Sequence, residues 1–188
     1  MEYFDIVDED GQPTGQVVAR EKAHREDILH RTVHMWIVRK KDGKIQVLLQ
    51  KRSRNKDSYP GRYDTSSAGH IQAGDSPIKT ACREIGEELG IRALPEDFRF
   101  IGHFRIHFAE EFYGKIFRDN EVVFVYIYRK PVRIGDLKFQ EDEVEGAAWF
   151  DLDELLRLTA EKDPRFCVTE AGLRVLRDAL REGGLKAK

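Results

Sequence analysis

The chain has 188 residues, 40% of them hydrophobic and 35% charged, with a formal net charge of −2. That length suits one globular domain with short appendages and a core large enough to enclose a pocket, and leaves little room for two full domains. The near-neutral balance argues against a nucleic-acid duplex or other polyanion as partner, and no apolar run approaches the roughly 20 residues of a membrane-spanning helix.

In chain order, "YFDIVDEDGQPTGQVVAR" sets two short apolar runs around a turn rich in Asp, Gly and Pro, the pattern of a peripheral hairpin. "VHMWIVRKKDGKIQVLLQKRS" repeats it with stronger β-branched and aromatic runs around Asp42 and Gly43, and reads as core sheet. A helix is expected from Pro77, capped by Ser76 and stopped by Gly90. "DFRFIGHFRIHF", "NEVVFVYIYR" and "EVEGAAWF" are further strand candidates by their aromatic and β-branched content. "DLDELLRLTA" and "TEAGLRVLRDAL" space leucines helically; Gly183 and Gly184 close the second, and the charged tail "REGGLKAK" should fray. Strands punctuated by three helices indicate an α+β arrangement on a mixed sheet, with no internal repeat or low-complexity segment. Cys82 and Cys167 allow at most one bridge and no charged-then-apolar leader is present, so a reduced, cytoplasmic setting is expected.

The stretch "GHIQAGDSPIKTACREIGEELGI" carries the chemistry. Ile78, Ala81, Cys82, Ile85 and Leu89 fall on one helical face and form a core stripe. At roughly 100° per residue, Glu84, Glu87 and Glu88 share a flank beside it, and Arg83 precedes Glu87 by four positions, the spacing of an ion pair. A helix alone would read as a solvated face, since Glu and Arg are good helix formers. The glycine-bearing loop "GHIQAGDS" before it changes the balance, because it brings backbone carbonyls beside the carboxylates. Oxygen-only ligands suit Mg²⁺ or Mn²⁺ bound together with substrate phosphates.

This stretch resembles the Nudix box: Gly, five residues, Glu, seven residues, then Arg-Glu-apolar-any-Glu-Glu-any-Gly-apolar. Gly69, Arg83, Glu84, Ile85, Glu87, Glu88, Gly90 and Ile91 stand at the matching positions, and Asp75 replaces the first glutamate with one methylene less reach. The resemblance implies an α/β fold, a Nudix-type α/β/α sandwich with a mixed β-sheet, here with an N-terminal β-hairpin extension. It implies a single domain, with residues 1–28 as hairpin and connecting extension, 29–160 as core with the box at 69–91, and 161–188 as C-terminal helix and tail. It also implies metal-dependent hydrolysis of the phosphoanhydride bond of a small-molecule diphosphate, a nucleoside diphosphate derivative or nucleotide. Glu87 and Glu88 are then principal metal ligands with the Gly69 carbonyl, Glu84 is a further ligand or the base, and Arg83 and Asp75 support the site. A homodimer is common in that family, with the N-terminal hairpin as the place to look for its interface.

Beyond the box, "LHRTVHMWIV", "LLQKRSRNKDSYPGRYDTSSAGH" and "DNEVVFVY" resemble the branch that includes type I isopentenyl diphosphate isomerase and its hydrolase relatives. Ala68 stands where that isomerase has a cysteine, and the full set Glu84, Glu87 and Glu88 is hydrolase-like, so hydrolysis is expected over isomerisation. His24, His30, His70, Asp119 and Glu121 match, or nearly match, isomerase metal positions. Taken singly, each histidine is more often an ordinary polar residue, and His34 reads as packing or surface. His70 and Glu121 rank highest, the latter as ligand or base at the start of an apolar strand, with a surface edge charge as the competing role. Arg52 and Lys56 match diphosphate-contacting positions, which suits charge-assisted hydrogen bonds to phosphate; Arg54 reads equally as solvated. Phe104, His107, Phe112, Tyr113 and Phe117 offer a base-stacking wall, against the commoner role of core aromatics, and Trp149 reads as packing. A non-catalytic nucleotide-binding module is the remaining alternative, on the strength of Asp75.

Overall fold

In a computed structural model describing residues 1–56 and 58–183, the first hairpin forms as expected: β1 (Tyr3–Val7) and β2 (Pro13–Ala19) pair antiparallel as a two-stranded sheet. A short helix, α1 (Arg20–Arg25), follows; six residues are too few to display a helical period, so the three helices expected become four. The second hairpin, β3 (His30–Lys41) and β4 (Lys44–Arg52), turns on Asp42 and Gly43 at φ 52° and 78°, the paired left-handed conformation that suits a tight hairpin. Next come two strands too short for a periodic signal, β5 (Tyr63–Asp64) and β6 (Ser67–His70). α2 (Pro77–Leu89), β7 (Phe98–Phe112), β8 (Lys115–Tyr128), β9 (Val144–Asp151), α3 (Leu152–Ala160) and α4 (Glu170–Gly183) complete the order. Gly184 and the rest of the tail lie outside the described residues.

The order β5-β4-β3-β8-β7, with β6 also on β3 and β9 on β4, makes a seven-stranded sheet. β3 and β8 run parallel at its centre and the other pairs are antiparallel, so the sheet is mixed. Alternating side chains sort the core into two layers. Val33, Met35, Ile37, Leu48 and Tyr126 pack against Ala81, Ile85 and Leu89 of α2. Trp36, Val47, Leu49, Val123 and Val125 pack against Leu155 of α3 and Leu173 and Leu176 of α4 on the opposite face. With both faces covered, β3 is buried continuously from His30 to Ile37 and the molecule is an α/β/α sandwich.

β3 and β4 pair over Ile37–Lys41 and Lys44–Leu48 and then part. β6 takes over beside Thr32–Met35, and β5 beside Gln50 and Lys51. Ser66 sits at the fork: its hydroxyl accepts the Ile37 N–H at 2.8 Å and donates to the Leu48 carbonyl, satisfying the backbone groups where the ladder divides. The fork is where an α2 carboxylate meets donors from both β4 and β6.

Candidate active site

α2 begins as expected in position but not in detail. Pro77 is its first residue and Ser76 has the extended conformation of an N-cap, yet the Ser76 side chain makes no capping hydrogen bond. Gly90 ends the helix at φ 70°, where a Cβ would also lie 2.7 Å from Cβ of Lys138. Ala81, Ile85 and Leu89 of the apolar stripe are buried and Ile78 and Cys82 partly so, and the three glutamates differ in their surroundings. Glu87 is exposed and takes a hydrogen bond from Arg83 at 3.1 Å. Glu84 is half-buried, 2.8 Å from the same guanidinium. Glu88 is only 8% exposed: the Ser67 hydroxyl and the Ala68 N–H (3.1 Å) both donate to Oε2, and Gln50 Nε2 donates to Oε1 at 3.4 Å.

Gly69 lies in β6 opposite Val33, not in a loop, and the loop starts only after His70. A Cβ at Gly69 would overlap the Glu84 carboxylate, so the strand can press against the helix only with glycine there. Burial pushes Glu88 up to about 8, with the Ser67 hydrogen bond opposing and the Glu84 charge adding. Burial likewise pushes Glu84 up to about 7 despite Arg83. Two crowded carboxylates so reluctant to ionise, with oxygen as their only donor atoms, fit a hard divalent cation, which would hold both in the charged form.

The carboxylates open into a cavity of about 590 Å³ on the sheet face that α4 leaves bare. Arg52 and Lys56 line it, each already partnered. Arg52 donates to Asp64 (3.0 Å) and to the Ser58 carbonyl and hydroxyl (3.0 and 3.1 Å), and Lys56 pairs with Glu143. Arg54 is exposed and 4.0 Å from Glu145, outside the cavity. Of the expected aromatic wall, only Phe117 lines the cavity: Phe104 belongs to the core, His107 pairs with Asp27 at 2.8 Å, Phe112 packs edge-on against Tyr59, and Tyr113 is exposed at the β7–β8 turn. Asp75 pairs with Lys79 and does not reach the cavity. Cys167 does, but burial raises its thiol pKa far out of the nucleophilic range and Sγ points to the Tyr63 carbonyl at 3.5 Å.

Beside the glutamates, His24, His30, His70 and Asp119 bring ligand atoms within 4.8 Å of one another. Nδ1 of His24 lies 2.9 Å from the Arg118 carbonyl and 3.0 Å from Asp119, and Nδ1 of His30 lies 2.8 Å from the Ile28 carbonyl. The Nε2 atoms of all three rings are buried without a hydrogen-bond partner. Burial depresses His30, and holds His70 down at about 3, so both rings are neutral lone-pair donors near neutral pH. Glu121 closes the group: Thr32 donates to Oε2 at 3.0 Å, and Oε1 is 3.4 Å from His70 Nε2 and 3.7 Å from His30 Nε2. It stands within β8, which starts at Lys115, five residues before the strand candidate that begins at Asn120. Phe4 of the N-terminal hairpin, fully buried, stacks on His30 and His70 at 4.9 and 4.8 Å, so the hairpin is a lid on this group and not a detached appendage.

Sequence reasoning missed Thr32, Gln50, Asp64, Tyr59 and Phe108, all on the cavity; His34, read as packing or surface, is buried against Phe104 and also lines the cavity. Tyr59 had a partial signal: it precedes Pro60 and holds φ at 47°, a strained conformation for a non-glycine residue.

A mixed sheet between helix layers, with a glycine strand pressed on an acidic helix, defines the class, and the chain belongs to the Nudix family: the NUDIX domain model matches residues 28–170. It is a Nudix hydrolase. Over 161 residues it is 37% identical to an uncharacterized Nudix hydrolase of Clostridium acetobutylicum, covering 86% of this chain and 75% of that one. It is 36% identical over 167 residues to Nudix hydrolase 3 of Arabidopsis thaliana, covering 88% of this chain but only 21% of that longer protein. A crystal structure from Deinococcus radiodurans shares the fold at a TM-score of 0.68 and 22% identity, covering 94% of this chain and 98% of that one.

Proposed function

We propose that the protein is a Mg²⁺- or Mn²⁺-dependent pyrophosphohydrolase that cleaves the phosphoanhydride bond of a nucleoside diphosphate derivative or nucleotide by water attack at phosphorus. The observation that carries this reading is the packing of Gly69 on Glu84 with Glu88 buried beside them, at the mouth of a cavity lined by Arg52 and Lys56. Glu84, Glu87, Glu88 and the Gly69 carbonyl would hold the ion, which when bound neutralises phosphate charge and acidifies a nearby water. Ser67, Ala68 and Gln50 fix the orientation of the Glu88 carboxylate, and Arg83 ties Glu84 to Glu87. Arg52, held in place by Asp64 and Ser58, and Lys56, held by Glu143, present charge to the phosphates. The base that takes the water's proton is Glu84 or Glu121; the more damaging of Glu84→Gln and Glu121→Gln, compared at saturating metal, identifies it.

The group His24, His30, His70, Asp119 and Glu121 supports a second, nitrogen-rich metal position. Its unpartnered Nε2 atoms, those of His24 and His30 oriented by hydrogen bonds on the opposite ring nitrogens, fit Zn²⁺ or Mn²⁺. That group is also what favours an isopentenyl diphosphate isomerase as the second reading, while Ala68 deprives it of the thiol the isomerase uses.

A phosphate and nucleoside monophosphate release assay over nucleoside diphosphates, triphosphates, nucleotide sugars, dinucleotides and isopentenyl diphosphate, with each metal, tests the proposal. Anhydride hydrolysis that disappears in Glu88→Gln supports it. Conversion of isopentenyl diphosphate to its dimethylallyl isomer moves the assignment to the isomerase, and nucleotide binding without any turnover moves it to a binding module.

A further inference from the structure

The three histidines beside the glutamates are not held alike. The His24 ring is anchored through Nδ1 by the Arg118 carbonyl at 2.9 Å and by Asp119 at 3.0 Å, and the His30 ring through Nδ1 by the Ile28 carbonyl at 2.8 Å. The His70 ring has no such anchor among the described residues; Glu121 approaches its Nε2 at 3.4 Å, and that is the nitrogen left for a metal. An imidazole is joined to Cβ through a torsion with a broad, roughly two-fold profile, so a ring without an anchor swings unless packing stops it.

Packing does stop it. The rings of His30 and His70 lie side by side, with centroids 5.3 Å apart and planes within 15° of each other. Phe4 of β1 lies flat across both, at 4.9 Å and 13° from His30 and at 4.8 Å and 3° from His70. Phe4 is itself fully buried, packed with Val18 of β2 and Ala23 of α1. The residues on either side of it are tied down next to His70. The Ala73 N–H donates to the Tyr3 carbonyl at 2.8 Å, and the Gly74 N–H and the Arg31 guanidinium donate to one oxygen of Asp5 at 3.0 and 2.8 Å. Turning the His70 ring out of its plane would drive its edge into a side chain that has nowhere to go.

We infer that Phe4 is a positioning residue for the nitrogen-rich metal position: its ring fixes the plane of the His70 imidazole, the task that hydrogen bonds perform for His24 and His30. This rests on reading that group as a metal position, and not on which diphosphate is cleaved. His70 directly follows Gly69, whose carbonyl belongs to the carboxylate site, so the plane of that one ring sets the two metal positions against each other. The N-terminal hairpin is then part of the active site. Partners that orient a metal-bound histidine typically carry about 10- to 100-fold in metal affinity.

The experiment titrates Co²⁺, whose visible absorption reports imidazole ligation, with Mg²⁺ in excess to occupy the glutamates. The proteins compared are the wild type, Phe4→Leu and Val18→Ala. Both variants remove apolar volume from the same cluster, but only the first takes the ring away from the histidines. Thermal melting without metal, followed by circular dichroism, gauges the packing loss in each. Phe4→Leu should weaken Co²⁺ binding by about 10- to 100-fold and shift the absorption band of the complex that does form, while Val18→Ala, though less stable, keeps the wild-type affinity and band. Phe4→Met, another side chain without a flat face, should behave as the leucine variant does and serves if that one does not fold. In a His70→Ala background, which itself binds Co²⁺ more weakly, Phe4→Leu should cost little more, because the ring it positions is gone. Wild-type affinity and band in the Phe4 variants, an equal loss in Val18→Ala, or a full additional loss on top of His70→Ala overturns the inference and leaves the metal reading standing. A wild type that shows no imidazole-type Co²⁺ absorption overturns the metal reading and the inference with it, whether or not any diphosphate is hydrolysed.

Discussion

One face of the β3-β8-β7 sheet is two different surfaces. Along β8 the residues of that face run Phe117, Asp119, Glu121, Val123, Val125, Ile127, and the change from acid to apolar falls between Glu121 and Val123. On the apolar side α3 and α4 cover the strands, and Leu155, Leu173 and Leu176 are fully buried against Trp36, Val123 and Val125. On the acidic side the strands meet not α3 or α4 but the short α1 and the N-terminal hairpin, with His24 stacked on Phe117 and 3.0 Å from Asp119, and Phe117, Asp119 and Glu121 line the cavity. β3 makes the same change, from Trp36 to His34 and Thr32. A strand's alternation fixes which residues share a face, while what covers that face decides whether they stabilise the protein or serve its chemistry.

The comparison breaks most sharply at Glu88. Glu88→Gln removes a carboxylate that would bind the metal from the open side without changing shape, so kcat should fall about 100- to 1000-fold. Thermal stability should hold or rise, because a buried carboxylate among few compensating charges is costly. Near-normal turnover, measured with Mg²⁺ and Mn²⁺ in excess, removes Glu88 from the metal site.

On the covered side the opposite pattern is expected. Leu173→Ala opens a cavity under α4 and should cost about 2–5 kcal/mol in denaturant unfolding. Turnover per folded molecule should stay within about twofold, since such ranges of effect separate at independent sites. A large drop in kcat at full folding would show that the two halves are coupled across Val123.

Gly69→Ala tests the seam between strand and helix. The added methyl meets the Glu84 carboxylate, so Glu84 must move or β6 must lift from α2. About 1–3 kcal/mol of stability should be lost, together with about tenfold in kcat. Unchanged values would mean that Glu84 moves away freely and is not a fixed ligand.

Much of this was legible because it is repetitive or fixed in spacing. The β-branched and aromatic runs of β3, β4 and β8 and the helical stripe of α2 mark the sandwich, and the spaced carboxylates mark the site. The remainder is set by tertiary pairing. β5 and β6 have too few residues to display alternation, so Gly69 read as loop when it is strand. The fork that Ser66 holds open, and with it the burial of Glu88, depends on which strand lies next to which. His34 looked like any polar residue in an apolar run, because a sequence shows the face of a strand but not where its covering helix stops.

The smallest effect is expected where the motif and the geometry disagree. Asp75 occupies a position of the box, and by pattern alone its loss should damage the site. Its carboxylate instead pairs with Lys79 one turn along α2, and the Lys79 side chain is largely exposed. An i,i+4 pair of that kind contributes about 0.3–0.5 kcal/mol and is weakened by salt. Asp75→Ala should therefore lower stability by no more than that, with kcat/KM unchanged within about twofold. Asp75→Glu, which restores the family residue, should gain no activity, because the longer side chain still starts on the Lys79 side of the helix entrance. A clear loss in Asp75→Ala that Asp75→Glu repairs would mean that the loop turns its carboxylate toward the glutamates once substrate is bound, and the open half would then extend one turn further than the structure shows.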